Sequence, residues 1–167
     1  NALELPDMTF GLAESHYQLG EYSDAIVYYQ RLLDQFPRET AADDAQYNMA
    51  WCLIELKRED EAMQAFSTLL ERYPDSDFAA SSQFTFGDHA YNRGEYQKAL
   101  DAYLLVQQHY PQAEVADQVP RLVAELKEAI AYEHYEKGIA LLDSADATKQ
   151  EKYYEQAVVV FKDVIEN

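Results

Sequence analysis

Three short stretches decide how this chain folds: Asp34-Gln35-Phe36-Pro37, Glu71-Arg72-Tyr73-Pro74 and Gln108-His109-Tyr110-Pro111. Each closes on an aromatic-proline pair, and the prolines stand 37 positions apart both times. A fixed period of this length marks a repeat architecture. Sliding the chain by one period superposes Ala25, Ala62 and Ala99, then Tyr29, Phe66 and Tyr103, then Leu32, Leu69 and Val106. Steps of four and three place the small, aromatic and aliphatic residues on one helix face. Proline then ends the helix, because it lacks an N–H and disfavours helical dihedrals in the residue before it.

The first half of each period is helical too. Tyr47, Ala50, Trp51, Leu53 and Ile54 form one apolar stripe. Phe84, Gly87 and Tyr91 form another, and Phe10, Ala13 and Tyr17 a third. Between the halves come Leu19-Gly20-Glu21-Tyr22, Leu56-Lys57-Arg58-Glu59 and Arg93-Gly94-Glu95-Tyr96. Gly20 and Gly94 suit the left-handed position that closes a helix, whereas Lys57 departs from it. Each period is therefore a helical hairpin. One hairpin cannot bury its apolar face alone, so neighbours must stack.

The pattern Ala13, Gly20, Tyr22, Ala25, Tyr29, Leu32, Pro37 resembles the tetratricopeptide repeat family. It recurs as Ala50, Ala62, Phe66, Leu69, Pro74 and as Gly87, Gly94, Tyr96, Ala99, Tyr103, Val106, Pro111. The family period is about 34 residues, so these units carry three more. Those residues lengthen the first helix by about one turn. The long period, the aromatic-proline ends and the entry Thr40-Ala41-Ala42 are similar to the bacterial envelope branch of the family. That branch includes the periplasmic Tol-Pal-associated protein and the repeat lipoprotein of outer-membrane assembly. The resemblance implies an all-α, right-handed superhelical solenoid of antiparallel hairpins. Its units run over about 5–38, 39–75 and 76–112.

After Pro111 the register breaks. Asp117 is expected to cap a helix with Pro120 in its first turn. No breaker follows before Asp143-Ser144-Ala145-Asp146, which predicts a helix over 117–145, roughly 42 Å long. Tyr135, Gly138 and Leu142 read as a further first helix. Tyr154, Ala157, Phe161 and Val164 read as its partner, so 113–167 is a long capping helix plus a divergent fourth unit. Asn1-Ala2 reads as a cloning scar, and the end at Asn167, with no proline or polar cap, reads as an excised edge.

Composition sets the function classes. The chain has 167 residues, with 13 Lys+Arg against 31 Asp+Glu and a formal charge of −18. That charge disfavours phosphate backbones and anionic membrane surfaces, so nucleic acid is not an expected partner. No apolar run is long enough for membrane insertion. The single cysteine, Cys52, excludes an internal disulfide and reads as a buried thiol in a helix. His16, His89, His109 and His134 share no short spacing, and Asp88-His89 has no third ligand, so neither a metal nor a cofactor is expected. No phosphate loop is present. Runs such as Glu59-Asp60-Glu61 read as solvated turns rather than paired acids of a glycosidase. The reading is a non-catalytic scaffold.

The resemblance implies that first helices line a concave groove. It would present Phe10, Glu14 and Tyr17, then Tyr47, Trp51, Ile54 and Glu55, then Phe84, Asp88, Tyr91 and Asn92. This is an aromatic strip rimmed by acids, suited to a protein or peptide with a basic segment. Asn48 matches one position of the family's clamp for a C-terminal carboxylate. The lysine positions of that clamp hold acids or aromatics here, which excludes that mode. Self-association, with the array acting as a spacer or a homo-oligomer, is the alternative reading.

Overall fold

A computed structural model describes residues 5–166; the proposed scar at Asn1-Ala2 and the terminal Asn167 lie outside them. Among the described residues the elements are helical: α1 (Pro6–Gln18), α2 (Tyr22–Gln35), α3 (Ala42–Glu55), α4 (Glu59–Arg72), α5 (Ala79–Asn92), α6 (Tyr96–His109), α7 (Val119–Thr148) and α8 (Glu151–Glu166). A 3-10 turn over Glu114–Gln118 precedes α7. The architecture is an all-α repeat of helical hairpins. It divides into two compact units, Asn1–Phe86 and Gly87–Asn167, with the boundary inside α5.

The three hairpin turns are built alike. At the end of α1, Gly20 N–H donates to Tyr17 O (3.0 Å) and Glu21 N–H to His16 O (2.9 Å). Lys57 and Arg58 make the same pair of bonds to Ile54 and Leu53, and Gly94 and Glu95 to Tyr91 and Ala90. This double bond closes a helix through one left-handed residue. The residue is Gly20 at φ 76°, Gly94 at φ 71° and Lys57 at φ 61°. The lysine holds a conformation that costs a residue with a Cβ about 1–2 kcal/mol. Repetition of the turn, not the side chain, therefore sets the backbone there.

The aromatic-proline pairs end α2, α4 and α6. Phe36, Tyr73 and Tyr110 each donate a last N–H four residues back, to Leu32, Leu69 and Val106 at 2.7–2.8 Å. The Tyr73 hydroxyl reaches Pro37 O (3.1 Å), tying one repeat end to the one before it.

In the first unit, α2 packs on α1 and α3, and α3 packs on α4. Ala13, Ala25, Ala50 and Ala62 are fully buried there and let the helices approach, and Tyr29, Leu32, Phe66 and Leu69 fill the space between them. In the second unit, Gly87 allows a closer approach still. A Cβ placed on it would lie 2.3 Å from the Tyr103 ring.

α7 runs unbroken for 30 residues, about 45 Å. Its start corrects one expectation. Asp117 does not cap it: the residue lies in the 3-10 turn, Gln118 holds the cap position, and no side chain bonds to the helix start. Pro120 sits in the first turn, where the missing N–H costs nothing. α8 folds back on the second half of α7, with Gly138 against the Phe161 ring and Tyr135 6.2 Å from it. These are the contacts of Gly87 with Tyr103 and of Phe10 with Tyr29 (6.1 Å) in the earlier hairpins.

Candidate functional site

The first-helix residues fall into columns one period apart: Phe10, Tyr47 and Phe84; Glu14, Trp51 and Asp88; Tyr17, Ile54 and Tyr91. The structure gives these columns different work. Phe10 and Tyr47 lean on the second-helix aromatic of their own hairpin, Tyr29 at 6.1 Å and Phe66 at 5.8 Å. Tyr47 also stacks on Phe78 (4.5 Å). Phe84 is half-buried.

The middle column shows an exchange between repeats. In the first hairpin the buried Tyr29 donates its hydroxyl to Glu14. In the third, Tyr103 donates to Asp88 at 2.6 Å. In the second, Phe66 has no hydroxyl, and the facing residue is Trp51, edge-on at 5.8 Å. A buried phenol needs an acceptor and a buried phenyl needs a ring edge, so the two columns vary together. Glu14 and Asp88, read from the sequence as facing a ligand, thus each hold a tyrosine inside the hairpin. Glu14 also accepts from Asn48 (2.8 Å), the residue that matched the carboxylate clamp.

Tyr17 and Tyr91 lie across the hairpin turn from Tyr22 (5.7 Å) and Tyr96 (5.8 Å). Tyr91 is 43% exposed. Trp51, Ile54 and Tyr17 are half-buried, and Glu55 and Asn92 are exposed. Burial raises the Tyr17 hydroxyl above its ordinary range, and Cys52, Tyr22, Glu55 and Glu14 add to the shift. That list brings Tyr17, Glu14 and Glu55 into one electrostatic neighbourhood.

Sequence reading missed Asp44. Its carboxyl is raised by burial first, then by Asp43, Glu14 and Asp77. Asp43 also accepts from the Ser76 hydroxyl (2.7 Å). Asp44 sits one turn before Tyr47 on α3, and only the fold brings Glu14 and Asp77 near it.

Other chemistry is sparse. The Cys52 thiol is buried and pushed up to about 12, by burial first and then by Glu14, which leaves it protonated and inert near neutral pH. Among the described residues, His16, Glu21 and Asp24 gather within 4.8 Å at a hairpin turn. The two carboxylates there are exposed, and His16 pairs with Glu21 (2.7 Å) and stacks on Tyr28. A cleft of about 340 Å³ in the second unit is floored by Leu100, Ile130 and Val164 and edged by His134 paired to Asp163 (2.5 Å). Among the described residues no helix is long and apolar enough to cross a membrane.

The buried phenols give a pH prediction. Burial and a carboxylate acceptor raise both Tyr29 and Tyr103. The folded state then keeps those protons after the unfolded state, with a tyrosine value near about 10, has lost them. Their stability contribution is complete below about pH 10 and is lost as pH rises above it, at about 1.4 kcal/mol per unit for each phenol. Cys52 adds the same sign from about pH 8.5. Urea unfolding between pH 8 and 11 should show a falling limb that Tyr29→Phe with Tyr103→Phe makes shallower. An unchanged slope contradicts the assignment.

Hairpins of paired helices with recurrent Schellman turns and proline stops define a helical-repeat protein. Residues 16–82 match the family model described as tetratricopeptide repeat. The match runs from late α1 into α5. No curated protein matches it.

Proposed function

We propose that this protein is a non-catalytic scaffold that binds a protein or peptide with a basic segment through the first-helix faces of its repeats. Tetratricopeptide repeats support a protein–protein interaction scaffold in general. The observation that carries the finer reading lies in the first unit. There, half-buried Tyr17, Tyr47, Trp51 and Ile54 adjoin the crowded carboxyls of Glu14, Asp43 and Asp44. Aromatic side chains supply anchoring area at low entropy cost. A carboxyl raised by burial and by neighbouring acids, as Asp44 is, is relieved by an incoming cation. Tyr91, Asp88 and Asn92 present the same columns in the third repeat. A setting in a bacterial envelope assembly rests on the long period and the aromatic-proline ends. Pull-down with the wild-type chain beside Trp51→Ala with Tyr91→Ala tests the reading, and equal recovery of every partner by both would sink it.

A further inference from the structure

The three hairpin turns share a backbone but not a charge pattern. Sliding by one period superposes Glu21, Arg58 and Glu95, and then Asp24, Glu61 and Lys98. In the second turn these positions form an ion pair, with the Arg58 guanidinium on both oxygens of Glu61 at 2.6 Å. In the third they form another, Lys98 Nζ to Glu95 at 2.6 Å, joined by Arg93 at 3.1 Å. In the first turn both positions are acids. Like charges three residues apart repel, and among the described residues Asp24 has no ion-pair partner. Beside them, where the later repeats have Leu53 and Ala90, stands His16.

His16 Nδ1 lies 2.7 Å from Glu21 Oε2, and one ligand atom each from His16, Glu21 and Asp24 falls within 4.8 Å of the other two. The backbone beneath them is fixed. Glu21 N–H donates to His16 O (2.9 Å), and Asp24 N–H to Glu21 O (3.0 Å). The imidazole also stacks on Tyr28 of α2, with ring centroids 5.2 Å apart and planes within 6°. Packing therefore holds the ring in place beside the two acids. A tetrahedral ion with bonds of about 2.0–2.1 Å spaces its ligand atoms about 3.3 Å apart. The 2.7 Å pair has to open slightly and Asp24 to close on it, and both carboxylates are exposed, with room to turn.

We propose that the first hairpin turn binds a divalent transition-metal ion, zinc above all, through His16 Nδ1, Glu21 and Asp24, with water in the fourth position. An imidazole with two carboxylates suits zinc. Calcium and magnesium take oxygen ligands and leave the histidine unused. The ion supplies the positive charge that Arg58 and Lys98 supply in the later turns, and it ties the last turn of α1 to the first turn of α2. The histidine, held by Tyr28, separates this turn from an ordinary acidic surface. The site lies at the hairpin turn, outside the columns of Phe10, Glu14 and Tyr17, and does not rest on the scaffold reading.

The test titrates the chelator-treated chain with zinc chloride in a calorimeter, and separately with magnesium and calcium chloride. The protein is compared as wild type, His16→Ala, Asp24→Asn and His134→Ala. Asp24 is exposed, so Asp24→Asn removes a ligand without emptying a packed site and decides the matter if His16→Ala fails to fold. His134 pairs with Asp163 in the second unit and serves as the control for a histidine beside one carboxylate. Wild type should bind one zinc ion per chain. Affinity should fall at least tenfold in both His16→Ala and Asp24→Asn, and stay unchanged in His134→Ala. Zinc should also raise the thermal unfolding midpoint of wild type and leave that of Asp24→Asn in place. Undiminished zinc affinity in Asp24→Asn overturns the proposal, as does the absence of binding at millimolar zinc. Magnesium or calcium binding as tightly as zinc overturns it too, because the turn is then an acidic surface only. Loss of binding in His134→Ala alone places the ion on the second unit and has the same result.

Discussion

Phe66→Ala should lower the unfolding free energy by about 3–5 kcal/mol, the range for emptying a phenylalanine site in a core. Phe66 is fully buried, and its ring is met by Tyr47 and Trp51, each at 5.8 Å. It therefore joins both helices of the second hairpin, and neither neighbour can collapse into the cavity without losing its own contacts. For a chain of this size the midpoint of thermal unfolding should fall on the order of 10 °C. Val159→Ala on α8 is the reference: that side chain is 68% exposed, and its truncation should change stability by less than about 0.5 kcal/mol. Equal losses from the two variants would mean that the aromatic column does not hold the hairpin together.

The second large effect is on binding. Trp51→Ala with Tyr91→Ala should weaken partner capture more than about 100-fold, since anchors of this type are worth about 2 kcal/mol or more each. The two residues separate structure from recognition in different ways. Tyr91 is 43% exposed and touches only the Tyr96 ring among the aromatic contacts described, so its loss should cost the fold little. Trp51 is half-buried against Tyr47 and Phe66, so its loss also loosens the second hairpin, and a melting curve measures that share. Capture by the wild-type chain should fall as salt rises, because the acids near Tyr17 and Asp44 act partly through solvent. Capture that ignores both salt and the two substitutions would place binding elsewhere on the molecule.

Much of the fold was legible because it rests on local rules that repeat. Aromatic-proline pairs mark helix ends, and a left-handed residue marks each hairpin turn, even where Lys57 replaces glycine. The unbroken α7 was legible for want of any breaker. Its start was not, because Asp117 is a good cap residue in isolation, and the 3-10 turn before α7 settles where the helix begins. The site was legible in part. The columns could be drawn from the period alone, but their partners could not. That Glu14 serves Tyr29, and Asp88 serves Tyr103, depends on contacts fifteen residues apart across a hairpin. The signal was present all the same: an acid faces each tyrosine, and the tryptophan faces the phenylalanine. Asp44 had no such signal, since its carboxylate neighbours Glu14 and Asp77 come from other elements.

Hydrogen exchange on the chain bound to its captured partner, read helix by helix against the free chain, is the most direct measurement of where it binds. Binding at the first-helix faces predicts added protection in α1, α3 and α5, strongest around Trp51, with little change in α2, α4 and α6. Protection confined to α2, α4 and α6 would contradict it.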